Sequence, residues 1–309
     1  MVIFSDQKSN AAFISILSNT LLVGLKLAVG LSTGAISIIS EAAHSGLDLV
    51  AAIIAFFAVR KASQPPDSRH AYGHGKFEDL SGSIEAILII IAAVLIVREA
   101  AVKVFSPSAV EGLHLGMGVM IFSSGVNFFV ARYLLRVAKA TDSMALQADA
   151  LHLQTDVYTS LGVLGGLLLM QLTGLPVLDP LVAIGVAVFI FKAGLDLVRK
   201  SVGELTDVRL PAAEEAKIRA ILEEAMPIAV EYHKLRTRKA GSERHIDLHL
   251  VVSQYMTVGE AHRLCDEVEG IIKARLENCQ VVTHLEPCTE TMGSCDHERC
   301  PRLEGKPCR

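Results

Sequence analysis

The sequence has no tryptophan and five tyrosines, and aromatic residues make up 5% of its 309 positions. An aromatic belt that would mark membrane boundaries is therefore nearly missing, and orientation has to be read from charge. Six cysteines are too few for a disulfide scaffold. Charged residues amount to 20% with a formal net charge of −4, which gives no reason to expect a nucleic-acid partner. An H-E-x-x-H helix is absent, which removes the usual signature of a zinc protease. What is abundant is apolar: 51% hydrophobic residues exclude a disordered or fibrous chain. The length allows about two domains at ~150 residues each. Charge divides the chain the same way. Residues 1–200 carry 14 acidic and 14 basic residues; the shorter stretch 201–309 carries 19 and 15.

A bilayer core of ~30 Å needs about 20 apolar residues in a helix. Six stretches qualify, at roughly 11–31, 36–59, 80–104, 113–135, 144–172 and 179–200. No stretch resembles a cleaved signal, since only Lys8 precedes the first span and no small-residue cleavage site follows a short apolar core. Arg60, Lys61, Arg69 and Lys76 lie between the second and third spans, Arg136 and Lys139 between the fourth and fifth, and Arg199 and Lys200 after the sixth. The connections Leu31–Ala35, Phe105–Gly112 and Thr173–Leu178 hold no Lys or Arg. Positive residues stay inside, so both termini are expected to be cytoplasmic. Arg98 and Lys103, near the outer end of the third span, run against this bias.

Polar residues within the spans carry the chemistry. The second span contains His44 and Asp48, the fifth His152 and Asp156, each pair one helical turn apart. An ionised Asp in hydrocarbon costs roughly 2.5–3.5 kcal/mol or more. No span is expected to offer a Lys or Arg at matching depth, so a divalent cation would supply the missing charge. Two imidazoles and two carboxylates form an N₂O₂ set suited to tetrahedral Zn²⁺. The bland alternative makes each pair a local hydrogen-bonded feature of its own helix. Small residues flank both faces: Ala42, Ala43, Ser45 and Gly46 on one, Ser160, Gly162, Gly165 and Gly166 on the other. They are expected to let helices approach closely. Asn19 and Asn127 are expected to hydrogen-bond between helices. In the second-to-third connection, Asp67, His70 and His74 offer a second metal site, with a solvated turn as the alternative.

The soluble part reads αββαβ, a small α+β, ferredoxin-like layer. Pro211 opens a helix to about Met226, strands follow at Ile228–Thr237 and Arg244–Val252, then a helix at Thr257–Leu276 and a strand at Val281–Glu286. Period-two alternation puts Ile246, Leu248 and Leu250 on one face of the second strand and His245, Asp247 and His249 on the other. His284 and Glu286 share a face of the third. With His233 and His262, these residues offer several ligands on one domain. Domains are expected at 1–204, 205–290 and 291–309. The tail carries Cys295, Asp296, His297, Cys300 and Cys308 after Cys288, in no C-x₂-C spacing. Its thiols are expected to stay reduced, in a flexible tail of incidental metal affinity.

The paired His44/Asp48 and His152/Asp156, the Gln64-Pro65 start and the Tyr72-Gly73-His74-Gly75-Lys76 run resemble the cation diffusion facilitator family, in its bacterial zinc and ferrous-iron efflux branch. The resemblance extends from about residue 10 to Cys288. It implies a homodimeric secondary transporter of the inner (cytoplasmic) membrane, not an enzyme, that exports a divalent metal in exchange for protons. It implies a transport site at His44, Asp48, His152 and Asp156 and a loop site at Asp67, His70 and His74. It also implies a cytoplasmic-domain site at His233, His249, His262, His284 and Glu286. Close relatives often carry Asp at the first transport position, and often Asp where Glu286 stands. His44 softens the site toward Zn²⁺, with Fe²⁺, Co²⁺ and Cd²⁺ open. A charge pair Lys76–Asp207 is implied between the two parts, as are partners limited to a second copy, metal ions, protons and the bilayer. A metal sensor that transports nothing is the rival reading, and a membrane metalloenzyme a weaker one.

Overall fold

The computed structural model describes residues 7–33, 36–105, 113–175, 177–225 and 231–288. The tail beyond Cys288, with its cysteines and His297, lies outside them. The chain separates into two compact units, Met1–Leu205 and Thr206–Arg309.

The first unit holds six helices: α1 (Gln7–Thr33), α2 (Ile36–Ala62), α3 (Lys76–Phe105), α4 (Leu113–Thr141), α5 (Met144–Thr173) and α6 (Leu178–Leu205). At 1.5 Å per residue, 27 to 30 residues give about 40 Å each, enough to cross a bilayer. Five of them are apolar enough to do so by composition alone. The remaining one, α5, is as long and carries Gln147, Asp149, His152, Gln154 and Asp156 in its first half. Large apolar side chains such as Leu47, Phe57, Phe129 and Leu172 stand exposed around the unit, as lipid-facing residues must. Ser143 caps the start of α5, accepting from the backbone N–H of Leu146, and Gly174 ends it in the left-handed conformation.

Within the unit the closest pairings are α1 with α2, α3 with α6 and α4 with α5. Gly194 explains one of them: a Cβ there would lie 2.9 Å from Ile90 and 3.5 Å from the Ala86 carbonyl. Gly162 and Gly166 do the same for α5 against α6, where a Cβ would meet Val186 at 2.8 Å and Asp179 at 2.7 Å. Gly46 and Gly165, expected to serve the same purpose, face open space.

The second unit comprises α7 (Ala212–Ala225), β1 (Glu231–Ala240), β2 (Glu243–Val252), α8 (Val258–Arg275) and β3 (Cys279–Pro287), the αββαβ order read from the sequence. The sheet order is β1-β2-β3, antiparallel then parallel, with α8 as the crossover. Thr257 and Glu260 form a reciprocal capping box at the start of α8. Ile246, Leu248, Leu250, Ile218, Leu222, Val268, Ile272 and Val281 make the core between the sheet and its helices. The opposite sheet face is polar.

Candidate metal centres

The interior of the six-helix unit brings α2 and α5 together through their polar residues. His152 Nε2 lies 3.0 Å from Asp48 Oδ1, and His44 Nε2 lies 4.0 Å from Asp156 Oδ1. Each histidine thus meets the aspartate of the other helix. The alternative of two self-contained His–Asp turns does not describe this arrangement. Single donor atoms of His44, Asp48 and Asp156 all lie within 4.8 Å of one another, and His152 joins them through Asp48. Asp48 and His152 are buried, while His44 is half exposed. From α4, Asn127 Nδ2 donates to Asp156 Oδ2 at 3.4 Å, an interhelical bond of the kind expected for it. Asn19 is buried in α1, and its amide nitrogen has no partner among the described residues.

His44, Asp48 and Asp156 line a cavity of about 600 Å³. Glu41 at the start of α2, Glu99 near the end of α3 and Asp179 at the start of α6 also line it, so it extends toward one end of the bundle. That end carries the connections without Lys or Arg. Ala86, Ile89, Met144, Ala148 and Leu197 form a buried apolar cluster among α3, α5 and α6.

One expectation is corrected here. Lys26 of α1 lines the same cavity, buried, with Nζ 2.8 Å from Ser45 Oγ and 3.2 Å from Glu41 Oε2. A span therefore does offer a cation near the aspartates. The signal was Lys26 itself, a single base at the eighth residue from the end of α1, whose facing only the α1–α2 pairing reveals. Further buried carboxylates, Glu85 and Asp149 among them, were not singled out by sequence reasoning.

The connection between α2 and α3 folds on Asp67. Its Oδ1 accepts from the backbone N–H of His70 at 2.7 Å and of Arg69 at 2.8 Å. These two bonds hold the carboxyl down at about 2, well below the usual carboxylate range. His70 Nδ1 lies 3.2 Å from Asp67 Oδ1, and His74 Nε2 lies 3.2 Å from Oδ2. His74 Nδ1 faces the Gln64 carbonyl at 3.3 Å. Donation there leaves Nε2 unprotonated and turned toward Asp67, the tautomer a metal ligand needs. The three residues sequence reasoning grouped are brought together, with ligand atoms within 4.8 Å. Gly73, at φ +81°, makes the turn that carries His74 back.

On the polar face of the sheet, Glu286 holds both flanking imidazoles. His249 Nδ1 lies 2.6 Å from Oε1, and His233 Nε2 lies 2.9 Å from Oε2. The bond from His249, then that from His233, pulls the Glu286 carboxyl down to about 2. His284 stands beside His249 in register, with ring centroids 4.7 Å apart. His262 sits on the exposed side of α8, 3.8 Å from Asp266, and does not join that cluster. His245, outside the ligand pattern, is buried, and burial together with Arg238 pushes its imidazole down. In the first unit Lys76 Nζ donates to the Leu205 carbonyl at 3.1 Å; in the second Asp207 pairs with Arg238 at 3.2 Å. Cys265 and Cys279 are free. Cys288 is disulfide-bonded, against the expectation of reduced thiols.

Comparison with known proteins follows the same division. Residues 12–206 match the cation efflux transmembrane domain, and residues 210–288 the cytoplasmic domain of cation efflux proteins. An uncharacterized transporter of Synechocystis sp. is 38% identical over 265 residues, covering 86% of each chain. The cation-efflux pump FieF of Yersinia pestis is 31% identical over 282 residues, covering 91% of this chain and 93% of that one. The solved metal-bound C-terminal domain of the CzcD transporter from Thermotoga maritima is 27% identical, covering 25% of this chain and 94% of its own, with a TM-score of 0.24. A solved chain of CzrB in a zinc form is 42% identical over 27% of this chain and 96% of its own, with a TM-score of 0.26. The chain is a multi-pass membrane transporter of metal cations, and it belongs to the cation diffusion facilitator family.

Proposed function

We propose that the protein exports Zn²⁺ from the cytoplasm in exchange for protons, through a site formed by His44, Asp48, His152 and Asp156. The observation that carries this reading is the crossed pairing of α2 and α5, which gathers two nitrogens and two oxygens in the membrane interior. A hydrogen bond between His152 and Asp48 is the metal-free counterpart of two ligands of one ion. Imidazole at position 44 favours Zn²⁺, with Fe²⁺, Cd²⁺ and Co²⁺ as competitors for the same donors.

Proton coupling follows from ligand chemistry. Metal needs neutral imidazoles and ionised carboxylates, so protons and metal compete for the same atoms. A site facing the cytoplasm loads metal; facing the other side, it gives the ion up as protons arrive. The cytoplasmic domain is proposed as the dimerisation module, its His233, His249, His262, His284 and Glu286 sensing metal. Asp67, His70 and His74 form a further site at the membrane face. Both termini are then cytoplasmic, and the membrane is the inner one.

Purified protein in proteoliposomes, with an internal zinc dye and an internal pH dye, tests this. Zinc entry with stoichiometric proton exit, accelerated by an acidic interior, is the expected result. Zinc movement indifferent to the pH gradient would reject antiport, and no movement of Zn²⁺, Fe²⁺, Cd²⁺ or Co²⁺ would reject the reading as a whole.

A further inference from the structure

The cavity beside the four donors holds one base among five carboxylates. Lys26 lines it together with Glu41, Asp48, Glu99, Asp156 and Asp179, and no other Lys or Arg does so among the described residues. Such a cavity attracts cations strongly, and by the same charge it would hold the ion it has to release. The Lys26 ammonium is not free to leave. It is buried in α1, donates to Ser45 Oγ at 2.8 Å, and lies 3.2 Å from Glu41 Oε2. Ser45 follows His44 directly and precedes Asp48 by less than one turn, so the fixed charge sits at the border of the donor set.

We propose that Lys26 is a built-in counter-cation of the transport cavity, which weakens metal binding in this conformation, speeds release and keeps occupancy to one ion. The inference rests on the assignment of His44, Asp48, His152 and Asp156 to the metal. With the site empty, the ammonium compensates the aspartates that the metal has left. With the site filled, it repels the ion and any second one. A mere α1–α2 tether would use the same hydrogen bonds, and the two roles differ in sign. Loss of a tether slows transport without tightening the site. Loss of a fixed positive charge tightens it.

The measurement is zinc uptake into vesicles with the proton-releasing face outward, together with inhibition of that uptake by zinc preloaded in the lumen. Lys26→Met should let lumenal zinc inhibit at about tenfold lower concentration, lower the maximal rate, and require a more acidic lumen for half-maximal uptake. Lys26→Arg should restore wild-type values. Ser45→Ala keeps the charge and should inhibit like wild type, whereas a tether would make it resemble Lys26→Met. Glu41→Gln removes a carboxylate and strengthens the net effect of Lys26, so it should need more lumenal zinc; it carries the test if Lys26→Met does not fold. An unchanged inhibition constant in Lys26→Met, or one shifted upward, overturns the proposal, as does an unchanged constant in Glu41→Gln. Wild-type vesicles that take up no zinc would instead reject the assignment of the site.

Discussion

The donors around the proposed transport site differ in how they are held, and that sets how each should respond to change. Asp48 is buried against His152. Asp48→Ala or Asp156→Ala should abolish proton-coupled zinc uptake into inside-out vesicles; retained uptake in either would refute its place among the ligands. Asn127 donates to Asp156 at 3.4 Å, a bond that orients the carboxylate. Asn127→Ala should weaken zinc binding about tenfold, raising KM for uptake more than it lowers the maximal rate. The loop site has its own pH logic. Asp67 titrates at about 2, below its ordinary value, so its bonds to the His70 and Arg69 N–H groups stabilise the loop above the usual carboxylate range and are lost only as pH falls toward 2. Protonation of Asp67 then does not drive acid release of metal from the loop above that range. Asp67→Asn should lower Co²⁺ affinity at every pH while leaving the midpoint of acid release in place, as absorption titration of the cobalt form would reveal.

At the scale of helices and strands, equivalent letters in the sequence become unequal positions. Gly165 and Gly166 are neighbours, yet a Cβ at Gly165 meets nothing within 4 Å and one at Gly166 meets Asp179 Oδ1 at 2.7 Å and its Cα at 3.0 Å. Gly165→Ala should therefore be tolerated. Gly166→Ala must push α6 off α5 and cost about 1–3 kcal/mol. Heating the two variants in detergent and following the folded protein by size-exclusion chromatography checks this; equal melting would mean the helices do not approach as described. The same inequality limits what could be read beforehand. Helix spans, the His–Asp pairs and the Asp67 loop were legible because composition and spacing within one element decide them. Strand β1 was legible only in part. Lys234 and Leu235 both oppose Leu248, in a bulge with Lys234 at φ +50°. His233 and Arg236 therefore share the polar face although they are three residues apart, and strict alternation separates them. Lys26 was misjudged for a related reason, since its neighbours belong to another helix.

For the molecule as a whole, the uneven charge along the chain already divided membrane from soluble unit, and the compact units meet at Leu205–Thr206. What spacing could not give is how the soluble unit arranges its five candidate ligands. Two of them, His233 and His249, converge on a third, Glu286, and His284 adds itself through His249. His262 pairs with Asp266 instead. A metal bound by His233, His249 and Glu286 would bridge β1, the centre of the sheet and β3, and so tie the entire sheet. Binding to the folded form alone stabilises by about 2.7 kcal/mol at a metal concentration 100 times Kd. Zinc should therefore slow amide exchange along β1–β3 in the full-length protein, and a chelator should reverse the effect. Because Glu286 titrates at about 2, its bonds to the two histidines contribute above the ordinary carboxylate range and fade only as pH falls toward that value. Without metal, Glu286→Ala should loosen the sheet at neutral pH, where the carboxylate bonds are fully present. With metal, the same substitution should erase the zinc-dependent protection in the sheet and leave zinc transport through α2 and α5 measurable. Protection that persists in this variant would mean that zinc acts on the sheet from another set of ligands.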